Sequence, residues 1–154
     1  MRLSRNFTLT EMVKSETALR RGIDNTPSDT VIVNLAGLTD KVLQPIRDYY
    51  NKPVKINSGY RSPEVNSLVG GSRTSDHCKG FAADIEIAGV SNPELAKWIL
   101  NNLKFTQVIL EFYTQGVPDS GWVHVSYNPS NLKCQALTAV RENGGTIYKP
   151  GLVA

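Results

Sequence analysis

His77 and His124 are the only two histidines in the chain, and both stand where chemistry could be done. His77 lies in Ser75-Asp76-His77-Cys78-Lys79-Gly80-Phe81-Ala82-Ala83-Asp84, ahead of a glycine turn that leads into a strand bearing Asp84. His124 is the centre of the apolar run Trp122-Val123-His124-Val125-Ser126. A lone histidine in such a run is ordinarily a satisfied core residue, and Asp84 could equally cap a turn or pair with Lys79. If the strand of His124 lies beside that of Asp84, however, a His, Asp, His set can converge. Zinc accepts nitrogen and carboxylate ligands, and three protein ligands leave a fourth position for water, which is the mark of a catalytic site.

Water activated in this way needs a base and a cation. Glu86 is two residues beyond Asp84 and shares its strand face. Glu111 ends the Gln107-Val108-Ile109-Leu110 run, and Asp119 sits in the turn before His124. For each of the three, an exposed surface charge is the plainer alternative. Arg61, in Ser58-Gly59-Tyr60-Arg61-Ser62, follows a strand and precedes a helix, so its loop is held at both ends; it could stabilise an oxyanion or hold a carboxylate. Cys78 neighbours His77, but adjacent residues of an extended segment point opposite ways, so it is expected to pack inward.

The elements that must position these groups can be read from periodicity and caps. Thr8-Leu9-Thr10-Glu11 is a capping-box pattern and starts a short helix. Ala18 to Ser28 reads as loop. From Asp29 to Tyr50 the apolar residues Ile32, Leu35, Leu38, Val42, Leu43, Ile46 and Tyr49 follow one helical face, with a kink or break allowed by Gly37 and Pro45. Val54 to Asn57 alternates like a strand, and Ser62-Pro63-Glu64 opens a helix. Phe81 to Ile87 reads as a strand, and Ser91-Asn92-Pro93-Glu94 caps a helix. Its core face is expected at Leu95, Trp98, Ile99 and Asn102. Strands follow at Gln107–Leu110, Trp122–Ser126 and Cys134–Val140. Asn143-Gly144-Gly145 makes a turn, and the tail beyond it is expected to be weakly ordered. Helices first, then strands with interspersed helices, predict an α+β fold with a largely antiparallel sheet of about four to five strands.

Composition sets the outer bounds. With 154 residues, 40% hydrophobic and 20% charged, the chain has the make-up of one globular domain over 1–154. Two cysteines exclude a disulfide framework and a zinc finger, and both are expected to be free. A net charge of +3 suits an anionic envelope as partner but is too small to imply nucleic acid. No run approaches the ~18 apolar residues of a membrane helix. Met1-Arg2-Leu3-Ser4-Arg5-Asn6 lacks an apolar stretch behind its charges, so synthesis without a leader, in the cytoplasm, is expected.

Ser58-Gly59-Tyr60-Arg61-Ser62, Ser75-x-His77-x-x-Gly80-x-Ala82-x-Asp84 and Trp122-Val123-His124-Val125 together resemble the zinc D-Ala-D-Ala carboxypeptidase family, related to hedgehog-type and lysostaphin-type metal folds. The second motif is specific, with five fixed positions across ten residues. Phe7-Thr8-Leu9-Thr10-Glu11, Ser15-Glu16-Thr17-Ala18 and Asn25-x-Pro27 resemble the branch common in bacteriophages. The resemblance spans about residues 7–127 and leaves 128–154 as a C-terminal extension. It implies zinc held by His77, Asp84 and His124, with Arg61 on the substrate carbonyl or carboxylate and Ser75 helping to hold the substrate. Many relatives carry an acid three residues before the second histidine; here that position is Gly121. In the phage-like branch a Glu ending the preceding strand serves instead, which points to Glu111, with Asp119 as fallback.

The implied activity is hydrolysis of an amide bond in a peptidoglycan stem peptide by a monomer. The implied setting is a phage endolysin reaching the wall after release, or a virion component. Cleavage of L-Ala-D-Glu or another stem-peptide bond is one alternative. A non-catalytic wall-binding module is the other.

Overall fold

The computed structural model describes residues 1–153. Strands β1 (Arg2–Ser4) and β2 (Phe7–Thr8) form a small antiparallel ribbon, and the Thr8 capping box starts helix α1 (Leu9–Val13) as its sequence predicts. The stretch read as loop from Ala18 is first a helix. Ser15 caps α2 (Glu16–Arg21) by accepting from the Ala18 N–H, and Gly22 closes it in the left-handed region. The loop begins only after that cap.

The long amphipathic segment forms α3 (Asp29–Leu38) and α4 (Gln44–Tyr50), joined by a π turn over Thr39–Leu43. Pro45 has no N–H to give the Lys41 carbonyl, and the helix widens immediately before it instead of breaking. Leu35, Leu38, Val42, Leu43 and Ile46 are fully buried, whereas Tyr49 leaves the core face and stacks on Trp98 at 4.6 Å.

The remaining elements are β3 (Lys55–Ser58), α5 (Pro63–Leu68), a 3-10 turn (Asp76–Lys79), β4 (Ala82–Glu86), α6 (Asn92–Asn102), β5 (Gln107–Glu111), β6 (Trp122–Ser126), β7 (Gln135–Glu142) and β8 (Gly145–Pro150). On α6, Leu95, Ala96 and Ile99 are buried, Trp98 is half-buried and Asn102 is exposed, so the core face is narrower than the sequence reading.

The α+β architecture is as expected. Six strands form one sheet in the order β3-β4-β6-β5-β7-β8, antiparallel except for the β5–β7 pair. The sixth strand comes from the tail. Asn143 (φ 50) and Gly144 (φ 78) make a two-residue hairpin turn, and β8 pairs with β7 along its length. Further bonds hold the end of the chain: Gly151 N–H donates to the Ala136 carbonyl at 2.8 Å, and Val153 N–H to Thr138 Oγ1 at 2.8 Å.

Strand alternation divides the sheet by chemistry. Ala83 and Ile85 of β4, Val123 and Val125 of β6, and Val108 and Leu110 of β5 are fully buried in the core shared with α3, α4 and α6. The intervening residues Asp84, Trp122, His124, Ile109 and Glu111 therefore share the other face, which is the wall of an open cleft.

Candidate metal centre

Asp84 and His124 are direct partners in the β4–β6 register, which fulfils the condition the sequence left open. Asp84 Oδ1 lies 3.1 Å from His124 Nδ1 and 3.3 Å from His77 Nε2. One ligand atom from each of the three residues fits within a sphere of mutual separations no larger than 4.8 Å. Two ligands of a tetrahedral zinc, each about 2.0–2.1 Å from the ion, stand about 3.3 Å apart, so the donor set fits zinc in type and its two contacts with Asp84 fit in spacing.

His77 is held in the orientation a ligand needs. Its Nδ1–H donates to the Gly59 carbonyl at 2.7 Å, which leaves the Nε2 lone pair free to face Asp84. In return, the Arg61 N–H donates to the His77 carbonyl at 3.2 Å. The Ser58–Ser62 segment and the ligand turn are thus latched to each other. Gly59 is required there by close approach: a Cβ at this position would lie 2.2 Å from the Met12 carbonyl oxygen. Asn25 fixes the same loop from the far side, its Nδ2 donating to the Tyr60 carbonyl at 3.1 Å and to that of Val13 at 2.8 Å. Its Oδ1 accepts from the Ser62 N–H at 2.7 Å.

The charges in the centre interlock. Burial alone would raise the Asp84 carboxyl, but the imidazoles of His77 and His124 outweigh it and hold the group well below the usual carboxylate range. Glu111 is shifted the other way. Its burial, then the nearby Asp84 charge, push it up to about 7, and its Oε1 lies 4.0 Å from His124 Nδ1. A carboxyl poised near neutral pH is suited to take up and return a proton.

The cleft has a volume of about 450 Å³, and Arg61, Ser75, His77, Asp84, Glu111 and His124 all line it. Every site residue named from the sequence except the candidate bases Glu86 and Asp119 is therefore brought together. Asp119 is exposed and lines a different cavity together with Glu86. Ser75 Oγ accepts from the His77 N–H at 3.2 Å, so it caps the ligand turn as well as lining the cleft. Cys78 stays outside the ligand group, half-buried, with burial pushing its thiol up.

Sequence reasoning missed the apolar wall. Leu137 of β7 and Tyr148 of β8 also line the cleft, Tyr148 with 55% of its surface exposed. The Asn143-Gly144 dipeptide was the available signal for the hairpin that brings Tyr148 there.

A histidine–aspartate–histidine donor set with an open side, beside a carboxyl of raised pKa, puts this molecule in the class of zinc hydrolases. Comparison with known families makes the assignment specific. The chain belongs to the peptidase M15 family, whose model matches residues 5–126. Members are zinc-dependent peptidases. No curated protein matches the chain.

Proposed function

We propose that this chain is a D-Ala-D-Ala-type carboxypeptidase that hydrolyses an amide bond in peptidoglycan stem peptides, in the manner of a phage endolysin. The observation that carries the reading is the grouping of His77, Asp84 and His124 around Asp84 Oδ1, with Glu111 Oε1 4.0 Å from His124 Nδ1 in the same cleft.

His77 Nε2, Asp84 Oδ1 and His124 Nδ1 would hold zinc. The chemistry zinc supplies when bound is Lewis acidity, which polarises a carbonyl and lowers the pKa of water beside it. Glu111 takes a proton from the attacking water and delivers it to the leaving amine. Arg61 faces the developing oxyanion or holds a substrate carboxylate through its guanidinium fork. Ser75 offers its hydroxyl proton to the substrate while its oxygen accepts from His77 N–H. The Gly59 carbonyl keeps the His77 ring in one tautomer throughout.

The setting that goes with this chemistry is the wall, reached after release from the host cytoplasm or carried in a virion, and the chain acts as a monomeric domain. The test is mass spectrometry of muropeptides digested with the zinc-loaded protein. Loss of the terminal D-Ala is the expected result. Cleavage within the stem would move the activity to an endopeptidase, and wall binding without any cleavage would leave a binding module.

A further inference from the structure

The metal cleft has two unlike sides. Its loop side is polar, lined by Arg61, Ser72, Thr74, Ser75 and Asp76. Its sheet side runs out into apolar residues, Ile109 of β5, Leu137 of β7 and Tyr148 of β8. Ile109 and Leu137 are cross-strand partners. Gln107, at one end of this strip, gives its side-chain N–H to Gln135 Oε1 at 2.8 Å.

Tyr148 belongs to the row that holds Glu111. Trp122, Glu111, Ala139 and Tyr148 pair in turn across β6, β5, β7 and β8. Ala136 packs on the core, so strand alternation puts Leu137 and Ala139 on the cleft face. Ala139 is fully buried there. A single methyl group on that face is screened from water by larger side chains around it, and Glu111 and Tyr148 are its direct neighbours in the row. Tyr148 keeps 55% of its own surface exposed, so its ring is open to a molecule in the cleft. The backbones of Glu111 and Tyr148 are two strand spacings apart, about 9.6 Å, and the strands of His124 and Asp84 lie farther off. The Tyr148 ring is thus placed to meet a peptide that passes Glu111, not the metal centre itself. Covering an exposed aromatic ring with an apolar group releases water from both and is favourable.

We propose that the β7–β8 hairpin, which lies beyond the family-matched residues 5–126, is a substrate wall and that Tyr148 is its specificity-determining residue. The ring, with Leu137 and Ile109 beside it, packs against an apolar side chain on the substrate residue to the Glu111 side of the cut amide. In the proposed reaction Glu111 delivers its proton to the leaving amine, so that residue is the one that leaves. The inference deepens the peptidase reading and rests on it for the direction of the peptide.

Two stem peptides decide it, identical except for the leaving residue, which is D-leucine in one and D-asparagine in the other. The two side chains have nearly the same size and differ in polarity. Binding is measured by calorimetry on zinc-loaded Glu111→Gln protein, which keeps the peptides intact. The leucine peptide should bind about tenfold more tightly, the effect of a partly covered apolar side chain. Tyr148→Phe on the same background should keep that ratio within about twofold, because the ring remains. Tyr148→Thr keeps a residue suited to a strand and should lower the ratio to about threefold or less. If Tyr148→Thr does not fold, Leu137→Thr should lower the ratio in the same way. A ratio near one in the starting protein, an unchanged ratio in folded Tyr148→Thr, or a loss in Tyr148→Phe as large as in Tyr148→Thr overturns the inference. Preference for the leucine peptide without hydrolysis of either peptide by the unmutated protein would instead sink the peptidase reading and leave the apolar wall standing.

Discussion

The backbone of Gly121 presses against that of Glu111 so closely that a Cβ on Gly121 would lie 2.0 Å from the Glu111 carbonyl oxygen. Gly121 also has φ +66, a conformation glycine adopts without strain. Relatives that carry an acid three residues before the second histidine use the very position that here has no room for a side chain. In the proposed reaction the carboxyl comes instead from the neighbouring strand, from Glu111. Gly121→Ala should therefore cost at least about 2 kcal/mol of stability, from the left-handed backbone and the overlap together. Urea unfolding of the purified variant measures it; a loss below half of that would mean the turn relaxes easily.

Glu111 should also be visible in the stability of the metal-free protein. Its carboxyl is raised from an ordinary 4.5 to about 7, so the folded state holds a proton that the unfolded chain releases between those values. The corresponding stability is fully present below about pH 4.5 and is lost as pH rises to about 7. Metal-free wild type should lose stability across this window relative to Glu111→Gln, which lacks the titration. Asp84 is shifted down, so its own contribution is lost only at more acid pH. Denaturant midpoints for the two proteins from pH 4 to pH 8, about the span of both values, give the difference. Parallel curves would contradict the burial of Glu111.

The Gly59 carbonyl sets the tautomer of His77, and its place depends on contact with α1. Gly59→Ala forces the loop away from Met12 and moves that carbonyl. Zinc affinity should fall about 10–100-fold, as for other losses of a ligand's outer partner. Competition with a chromophoric chelator reads this directly, and an affinity within about twofold of wild type would show that the His77 ring is held by other means.

Asn25 braces the Arg61 loop through two hydrogen bonds, to Tyr60 and Ser62, and ties it to α1 through a third, to Val13. Asn25→Ala should lower stability by about 1–3 kcal/mol and reduce kcat/KM while zinc content is unchanged. Because it acts through Arg61, its effect should nearly vanish in an Arg61→Ala background. Full additivity of the two substitutions would separate Asn25 from the function of Arg61.

Much of the site was legible because its signals are local. Ser75 to Asp84 carries two ligands and their turn within one short segment, and Trp122 to Ser126 alternates so that His124 must lie opposite the buried valines. Periodicity could not give the register, and only the pairing of Asp84 with His124 turns two motifs into one centre. Helix α2 was hidden because arginines and a glycine suggested a loop, although Ser15 and Gly22 are good caps for it. Strand β8 was hidden because all six of its residues are exposed, so no buried alternation marks it. Its stability comes from β7 and the Asn143-Gly144 turn, and its position beside the cleft is purely a matter of sheet order.

The proposed activity requires a zinc centre held by His77, Asp84 and His124 and served by Glu111. The most direct test is the zinc stoichiometry of purified wild type, His77→Ala and Glu111→Gln, each read beside its hydrolysis of muropeptides. Wild type should hold one zinc per chain, about the content of a mononuclear site, and cleave. His77→Ala should lose both metal and cleavage, and Glu111→Gln should keep the metal and lose cleavage. Wild type without zinc, or His77→Ala with wild-type zinc and turnover, would contradict it.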